Sequence, residues 1–257
     1  MFLNDGQRAH FATFGFLVRR QLFTADEVTR IRRAFDRTLA NSRMGEAFSG
    51  ERRQLVLGFV EHEPDLLRLL DDERVFSTLE GLLGPGFTWL GSDGNLYVGD
   101  TGWHTDAKLP NYDTLKAAFY LEPVGLDTGC LRVIPGSHRL PLHDTVKPVT
   151  QFGVAPEEIP AVPLESEPGD VVFFNRSIWH ASFGGKAGRP MFTLTCVAAP
   201  DSAERVAYLQ QTYQNKVTTL GRLPFGQPPD VYGPAILNSD IPRIRAMAAK
   251  LVELGFS

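Results

Sequence analysis

Apolar positions change their period twice along this chain, and the changes divide it into three parts. In TADEVTRIRRAFDRTLANS, Val28, Ile31, Phe35 and Leu39 recur at helical spacing behind Thr24 and Glu27, which are placed as the two members of a capping box. A helix from about Ala25 to Asn41 is predicted. Pro64 stands where another helix would begin, before DLLRLL, and VFSTLEGLLG runs into Gly84-Pro85-Gly86, a strong stop. The first part, about 1–85, reads as mainly helical.

After Gly86 the apolar runs shorten to FTWL, NLYVG, LKAAFYLEP, CLRVIP, DVVFFN and MFTLTCVAA, separated by turn residues, which is the texture of strands. Glu167-Pro168-Gly169-Asp170 has proline second and glycine third, as a type II turn requires, and leads into the apolar run Val171 to Phe174. Such strands close into a sandwich or a barrel, with a jelly roll as one standard closure, and the pattern does not choose among them. Helical texture returns after Pro200 in SAERVAYLQQTYQN and IPRIRAMAAKLVELGF, joined by GRLPFGQPPDVYGP, which reads as a long covering loop. With no internal repeat, the 257 residues are expected to form one domain: a helical part to about 85, a β core over about 86–200 and a helical extension over about 201–257.

Composition narrows the class. Hydrophobic residues at 43% and charged residues at 22% are those of a soluble globular protein. Lys and Arg number 26 against 30 Asp and Glu, a net charge of -4, so there is no basic footprint and neither nucleic acid nor a membrane is expected as a partner. Cys130 and Cys196 lie in apolar stretches and read as buried thiols in a reducing, cytoplasmic setting. MFLNDGQRAHF lacks the basic and apolar regions of a signal peptide, and no stretch reaches the roughly 18 apolar residues of a span. The Asn-x-Ser sequon at Asn175 interrupts a strand-like run and reads as accidental.

Of the six histidines, only His104 is followed two positions later by a carboxylate, in Trp103-His104-Thr105-Asp106. If this segment is extended, residues 104 and 106 share a face, so an imidazole and a carboxylate can converge on one ion. His180, beyond the turn and strand of DVVFFNRSIWH, is a candidate third ligand. Two imidazoles and one carboxylate leave coordination positions open, as in non-haem Fe(II) oxygenases, and a three-ligand zinc site would accept the same donors. By the motif alone, His-x-Asp is also a chance pattern and a lone histidine an ordinary surface or hydrogen-bonded residue.

Several segments in order resemble the phytanoyl-CoA dioxygenase family of Fe(II)/2-oxoglutarate oxygenases: FATFGFLVRRQLFTADEVTRIRRAF, then His104 and Asp106, then Gly129 to Arg139, then Pro168-Gly169-Asp170-Val171, and finally His180-Ala181-Ser182 ending at Arg189. The likeness spans roughly residues 10–198. It implies a mainly β fold with flanking helices, a double-stranded β-helix of jelly-roll, cupin-like form. It also implies His104, Asp106 and His180 as iron ligands, 2-oxoglutarate and O2 as co-substrates, and His138 as a non-ligand. Arg189 matches the arginine that grips the far carboxylate of 2-oxoglutarate, a task for which a planar guanidinium is suited. Arg176 and Lys186 are nearby alternatives. Ser182 would share that carboxylate, and Asn95 would donate to the co-substrate from a neighbouring strand. Related halogenases carry a small residue where Asp106 stands, so halogenation is disfavoured.

The implied reaction is oxidation of a small-molecule substrate with succinate and CO2 released, hydroxylation of a C–H bond being the default outcome and desaturation, epimerisation and cyclisation remaining open. Tyr97, Trp103, Lys108, Tyr112, Phe119 and Trp179 lie close in sequence to the ligands and are candidate pocket residues, with ordinary packing as the alternative for each. Arg132 could pair with an acidic substrate or face solvent. Two other classes fit the same residues: a cupin-like metal isomerase or hydrolase, which has no use for Arg189, and a non-catalytic ligand-binding jelly roll.

Overall fold

Val171–Asn175 and Arg189–Val197 are buried at every position, so each needs cover on both faces of its sheet. The computed structural model, which describes residues 2–107, 109, 112–146 and 153–257, supplies that cover with a second sheet on one face and helices on the other. Ten strands are described, in chain order Phe16–Arg19 (β1), Gln54–Leu57 (β2), Thr88–Tyr97 (β3), Thr101–His104 (β4), Thr114–Tyr120 (β5), Leu131–Val133 (β6), Val162–Leu164 (β7), Val171–Asn175 (β8), His180–Ser182 (β9) and Arg189–Val197 (β10). They form a six-stranded sheet, β1-β8-β5-β10-β3-β2, and a four-stranded sheet, β4-β9-β6-β7, all paired antiparallel. Two facing antiparallel sheets with flanking helices are the jelly roll that the family resemblance implied.

The pleat sorts the larger sheet into two faces. Leu115, Ala117, Phe119, Val171, Phe173, Phe192, Leu194 and Cys196 pack under the helices, whereas the intervening Ala118, Tyr120, Val172, Phe174 and Met191 face the smaller sheet. Phe119 stacks on Phe192, ring centroids 4.5 Å apart, on the helix side.

The expected first helix is present as Ala25–Ser42, with Thr24 Oγ1 accepting from the Glu27 amide and Glu27 Oε2 accepting from the Thr24 amide. The N-terminal part is not only helical, however. β1 joins the larger sheet at β8 and β2 joins it at β3, and a helix not expected from the sequence, Asp5–Phe14, is capped by Asn4 and Gln7. Four-residue strands carry too few alternations to be told from helical pieces by period alone. FTWL and NLYVG are one strand, β3, because the glycines between them are not a break. A Cβ on Gly94 would fall 2.1 Å from a carbon of the Phe59 ring, so the strand continues beneath that ring only without a side chain there.

The turn at 167–170 has the expected form: Asp170 N donates to Glu167 O (2.9 Å) and Gly169 has φ of +103°. The connector over 221–234 covers the edge of the larger sheet. Gln227 Oε1 accepts from Leu57 N (3.0 Å) and its Nε2 donates to Leu55 O (2.8 Å), pairing the exposed side of β2. Beyond it, Ile244, Met247, Ala248 and Leu251 of the Pro242–Glu253 helix join the core on the sheet's outer face. Both cysteines are buried and unbonded, and Asn175 is fully buried. No helix among the described residues is long and apolar enough to cross a membrane.

Candidate active site

β4 and β9 lie far apart in sequence, yet their antiparallel register sets His104 directly opposite His180. The two imidazole centroids are 4.2 Å apart. Each ring is fixed the same way: His104 Nδ1 donates to Gly102 O and His180 Nδ1 donates to Ile178 O, both at 2.8 Å. A carbonyl only accepts, so the proton sits on Nδ1 and the Nε2 lone pair of each ring is left to face the interior.

Asp106 completes the group, though not by sharing a strand with His104. β4 ends at His104, and Asp106 lies in the bend beyond it, tied by its amide to Arg176 O (2.8 Å). Arg176 returns the bond by donating Nη2 to Asp106 O (3.1 Å), and its Nη1 reaches Tyr208 Oη (3.0 Å). Arg176 is thus a brace for the bend. Asp106 Oδ1 lies 3.8 Å from His104 Nε2, and its Oδ2 lies 3.7 Å from His180 Nε2. The three donors fall within 4.8 Å of one another, a spacing that one ion could bridge.

The electrostatics suit a cation. Burial holds His180 down at about 4, opposed by Asp106, so the ring is neutral near pH 7. Burial alone would raise Asp106, but Lys116, His180, Arg176 and His104 outweigh it and hold the carboxyl well below its usual range. A neutral His180 imidazole and an ionised Asp106 carboxylate are protonation states that suit a divalent metal.

The same cavity, of about 100 Å³, is lined by Arg53, Tyr97, Thr101, Lys116, Tyr120, Leu131, Phe174, Ser182, Arg189 and Met191 as well as by the triad. Arg189 opens β10 and is only 2% exposed. Its Nη2 donates to Ser182 Oγ (3.1 Å), and Ser182 Oγ donates to Gly129 O (2.9 Å). Nε and Nη1 of Arg189 are buried with no partner among the described residues. The guanidinium fits because two glycines wall it: a Cβ on Gly185 or on Gly129 would overlap Nη1. A buried guanidinium with two idle donors calls for an anionic acceptor, and a carboxylate matches its fork. Lys186, the other alternative, is exposed and pairs with Glu122 at 3.2 Å.

Other candidates from the sequence are placed differently. Asn95 is fully buried: its Oδ1 accepts from Arg53 Nε (2.8 Å) and Nη2 (2.6 Å), and its Nδ2 donates to Asp93 (2.5 Å). It holds those two side chains and is not in the cavity wall. Tyr97 is in the wall, with the Arg53 guanidinium 4.0 Å and that of Arg189 5.4 Å from its ring centroid. Trp103 points to the other face of β4, donating to Pro156 O (2.8 Å), and Trp179 donates to His143 O (3.1 Å). Tyr112 donates to Ala198 O (2.7 Å) within the core, and Phe119 lies under the helices on the far face of β5. Arg132 is held outside by the carbonyls of Glu157 and Leu126. Lys108 lies outside the described residues. His138 is buried against Gly15 and bonded to Ala12 O (3.3 Å), outside the triad's donor cluster.

Sequence reasoning missed Lys116, Tyr120 and Arg53. The first two carried a signal, since positions 116, 118 and 120 share a phase of the β5 alternation opposite to that of Phe119. Arg53 carried none, because it reaches the cavity from the position just before the edge strand β2, which only tertiary pairing brings there.

The profile of the phytanoyl-CoA dioxygenase (PhyH) family matches residues 11–190. The chain belongs to this family. Among curated relatives, the ectoine dioxygenase of Sphingopyxis alaskensis is 26% identical over 216 residues, covering 69% of this chain and 70% of that protein. Among solved structures, the epimerase SnoN, in complex with Fe3+, alpha-ketoglutarate and nogalamycin RO, has a TM-score of 0.61 at 21% identity, over 76% of this chain and 84% of its own. The carbocyclase SnoK of nogalamycin biosynthesis also has a TM-score of 0.61 at 21% identity, over 88% and 93%. At such identities, likeness to the solved structures bears on the fold, and the PhyH assignment rests on the family profile.

Proposed function

We propose that this PhyH-family chain is a non-haem Fe(II)- and 2-oxoglutarate-dependent dioxygenase that hydroxylates a C–H bond of a small-molecule metabolite. The observation that carries the reading is Arg189: a buried guanidinium with two idle donors in the same cavity as the His104, Asp106 and His180 donor set. A metal hydrolase or isomerase would need the triad but not that arginine. The ectoine dioxygenase relative and SnoN's complex with iron and alpha-ketoglutarate support the same assignment.

In this reading, Nε2 of His104, Nε2 of His180 and the Asp106 carboxylate would hold Fe(II), and the Nδ1–carbonyl bonds of the two histidines fix the orientation of both rings. Arg189 and Ser182 take the far carboxylate of 2-oxoglutarate, and Tyr97 and Tyr120 wall its chain. Leu131, Phe174 and Met191 form the apolar part of the wall and exclude water from the reacting C–H bond. Bound iron would supply the coupling of 2-oxoglutarate's oxidative decarboxylation to oxygen transfer, so that substrate, O2 and 2-oxoglutarate would give alcohol, succinate and CO2. SnoN and SnoK are an epimerase and a carbocyclase, so the product's mass distinguishes hydroxylation, which adds one oxygen, from those outcomes.

The test is a metabolite screen for succinate formation above the uncoupled background with Fe(II), O2 and 2-oxoglutarate supplied, run beside Arg189→Ala. Removing the buried ion pair costs about 3 kcal/mol, so the variant's requirement for 2-oxoglutarate should rise on the order of 100-fold. An unchanged requirement would overturn the co-substrate assignment.

A further inference from the structure

Two charged groups beside the triad have no part in the reaction described above. Lys116 stands on β5 in phase with Tyr120, so the pleat turns it into the cavity, and its Nζ lies 3.0 Å from Asp106 Oδ2 and 3.8 Å from Asp93 Oδ2. Asp93, on β3, is itself anchored: Thr193 of β10 donates to its Oδ2 (2.6 Å) and Asn95 to its Oδ1 (2.5 Å). The larger sheet therefore presents a fixed Asp93–Lys116 pair to a carboxylate whose imidazole partners both come from the smaller sheet.

We propose that Lys116 is a positioning residue for the metal-binding carboxylate of Asp106, and that Asp93 keeps Lys116 from lowering the site's affinity for a cation. The proposal rests on His104, Asp106 and His180 being metal ligands. A carboxylate on a bend is free to turn about its side-chain torsions. With Oδ2 drawn by charge to the ammonium 3.0 Å away, Oδ1 stays directed towards His104 Nε2, 3.8 Å away, where an ion shared by the two would sit. A lysine alone would achieve this by placing a positive charge against a site meant for a dication. Asp93, Lys116 and Asp106 together carry one net negative charge, the same as Asp106 alone. Orientation is thus gained without losing the negative charge that attracts the metal.

The contrary explanation is that Lys116 merely substitutes for the metal's charge. It predicts the opposite sign: removing Lys116 would then tighten metal binding. The anchored Asp93 argues against this, because Thr193 and Asn95 fix Asp93 on the larger sheet and Asp93 in turn pairs with the ammonium from that side.

The experiment is a titration of the full-length, metal-free protein with Co(II), followed by its visible absorption. The double variant Lys116→Met/Asp93→Asn removes both charges, so Asp93 is not left as an unpaired carboxylate, and circular dichroism checks that it folds. It should bind Co(II) 10- to 100-fold more weakly, the range expected on loss of an outer-shell partner, with an altered spectrum. Lys116→Arg, which keeps a cationic donor, should recover part of the loss. Equal or tighter Co(II) binding by the double variant overturns the proposal. His104→Ala separates the two levels: if it loses Co(II) while the double variant does not, only the role of Lys116 fails. If it binds Co(II) as the unsubstituted chain does, the metal reading fails and takes the proposal with it.

Discussion

Gly185→Ala is the smallest change that tests the arginine pocket. Gly185 does not have the positive φ that would strain an alanine, so the backbone accepts the substitution and the whole effect is steric. A Cβ built there lies 1.4 Å from Arg189 Nη1 and 2.6 Å from Cζ, where ordinary contact begins at 3.4 Å. The guanidinium must retreat by about 2 Å, which breaks its 3.1 Å bond to Ser182 Oγ and carries its fork away from the carboxylate. Two hydrogen bonds to a charged group, at about 1.5 kcal/mol each, make about 3 kcal/mol. That is on the order of 100-fold in affinity. The assay is calorimetric titration of 2-oxoglutarate into metal-loaded protein, with Gly102→Ala as control, since a Cβ at Gly102 meets nothing within 4 Å. Gly185→Ala should lose nearly as much affinity as Arg189→Ala, and the double variant should lose little more, because both act through one contact. Binding within about twofold of the unsubstituted protein would refute the reasoning, a change of only about 0.4 kcal/mol.

Other outcomes follow from burial. His180 is depressed to about 4 by burial, and His138 likewise, so the unfolded chain binds more protons than the folded one between the ordinary histidine value of 6.5 and about 4. The metal-free protein should therefore hold this contribution in full above pH 6.5 and lose it as pH falls towards 4, by at most about 3 kcal/mol per histidine. Urea melts across that window check this, and the slope should flatten in His180→Gln/His138→Gln. Phe119→Ala should destabilise the protein by about 3–5 kcal/mol in the same melts while leaving substrate KM unchanged, because the ring packs on Phe192 behind the sheet.

The Ala25–Ser42 helix, the turn before β8 and the run of core strands were legible because each depends on residues close in sequence: a cap, a proline and glycine at fixed offsets, a period of two. His104, His180, Ser182 and Arg189 were legible as candidates by residue type and ordered motif, and the fold gathers them around one cavity. Pairing partners were not legible. Local spacing holds nothing that sets His104 across from His180, and the bend at Asp106 exists because a distant carbonyl, that of Arg176, receives its amide. Facing was only half legible, since a shift of one position exchanges the two sides of a strand: it hides Phe119 under the helices and turns Lys116 and Tyr120 into the cavity. Charge balance belonged entirely to the tertiary structure. Lys116 and Asp93 read as ordinary strand residues until β3, β5 and β10 lie side by side, because Coulombic coupling depends on distance through space and not along the chain.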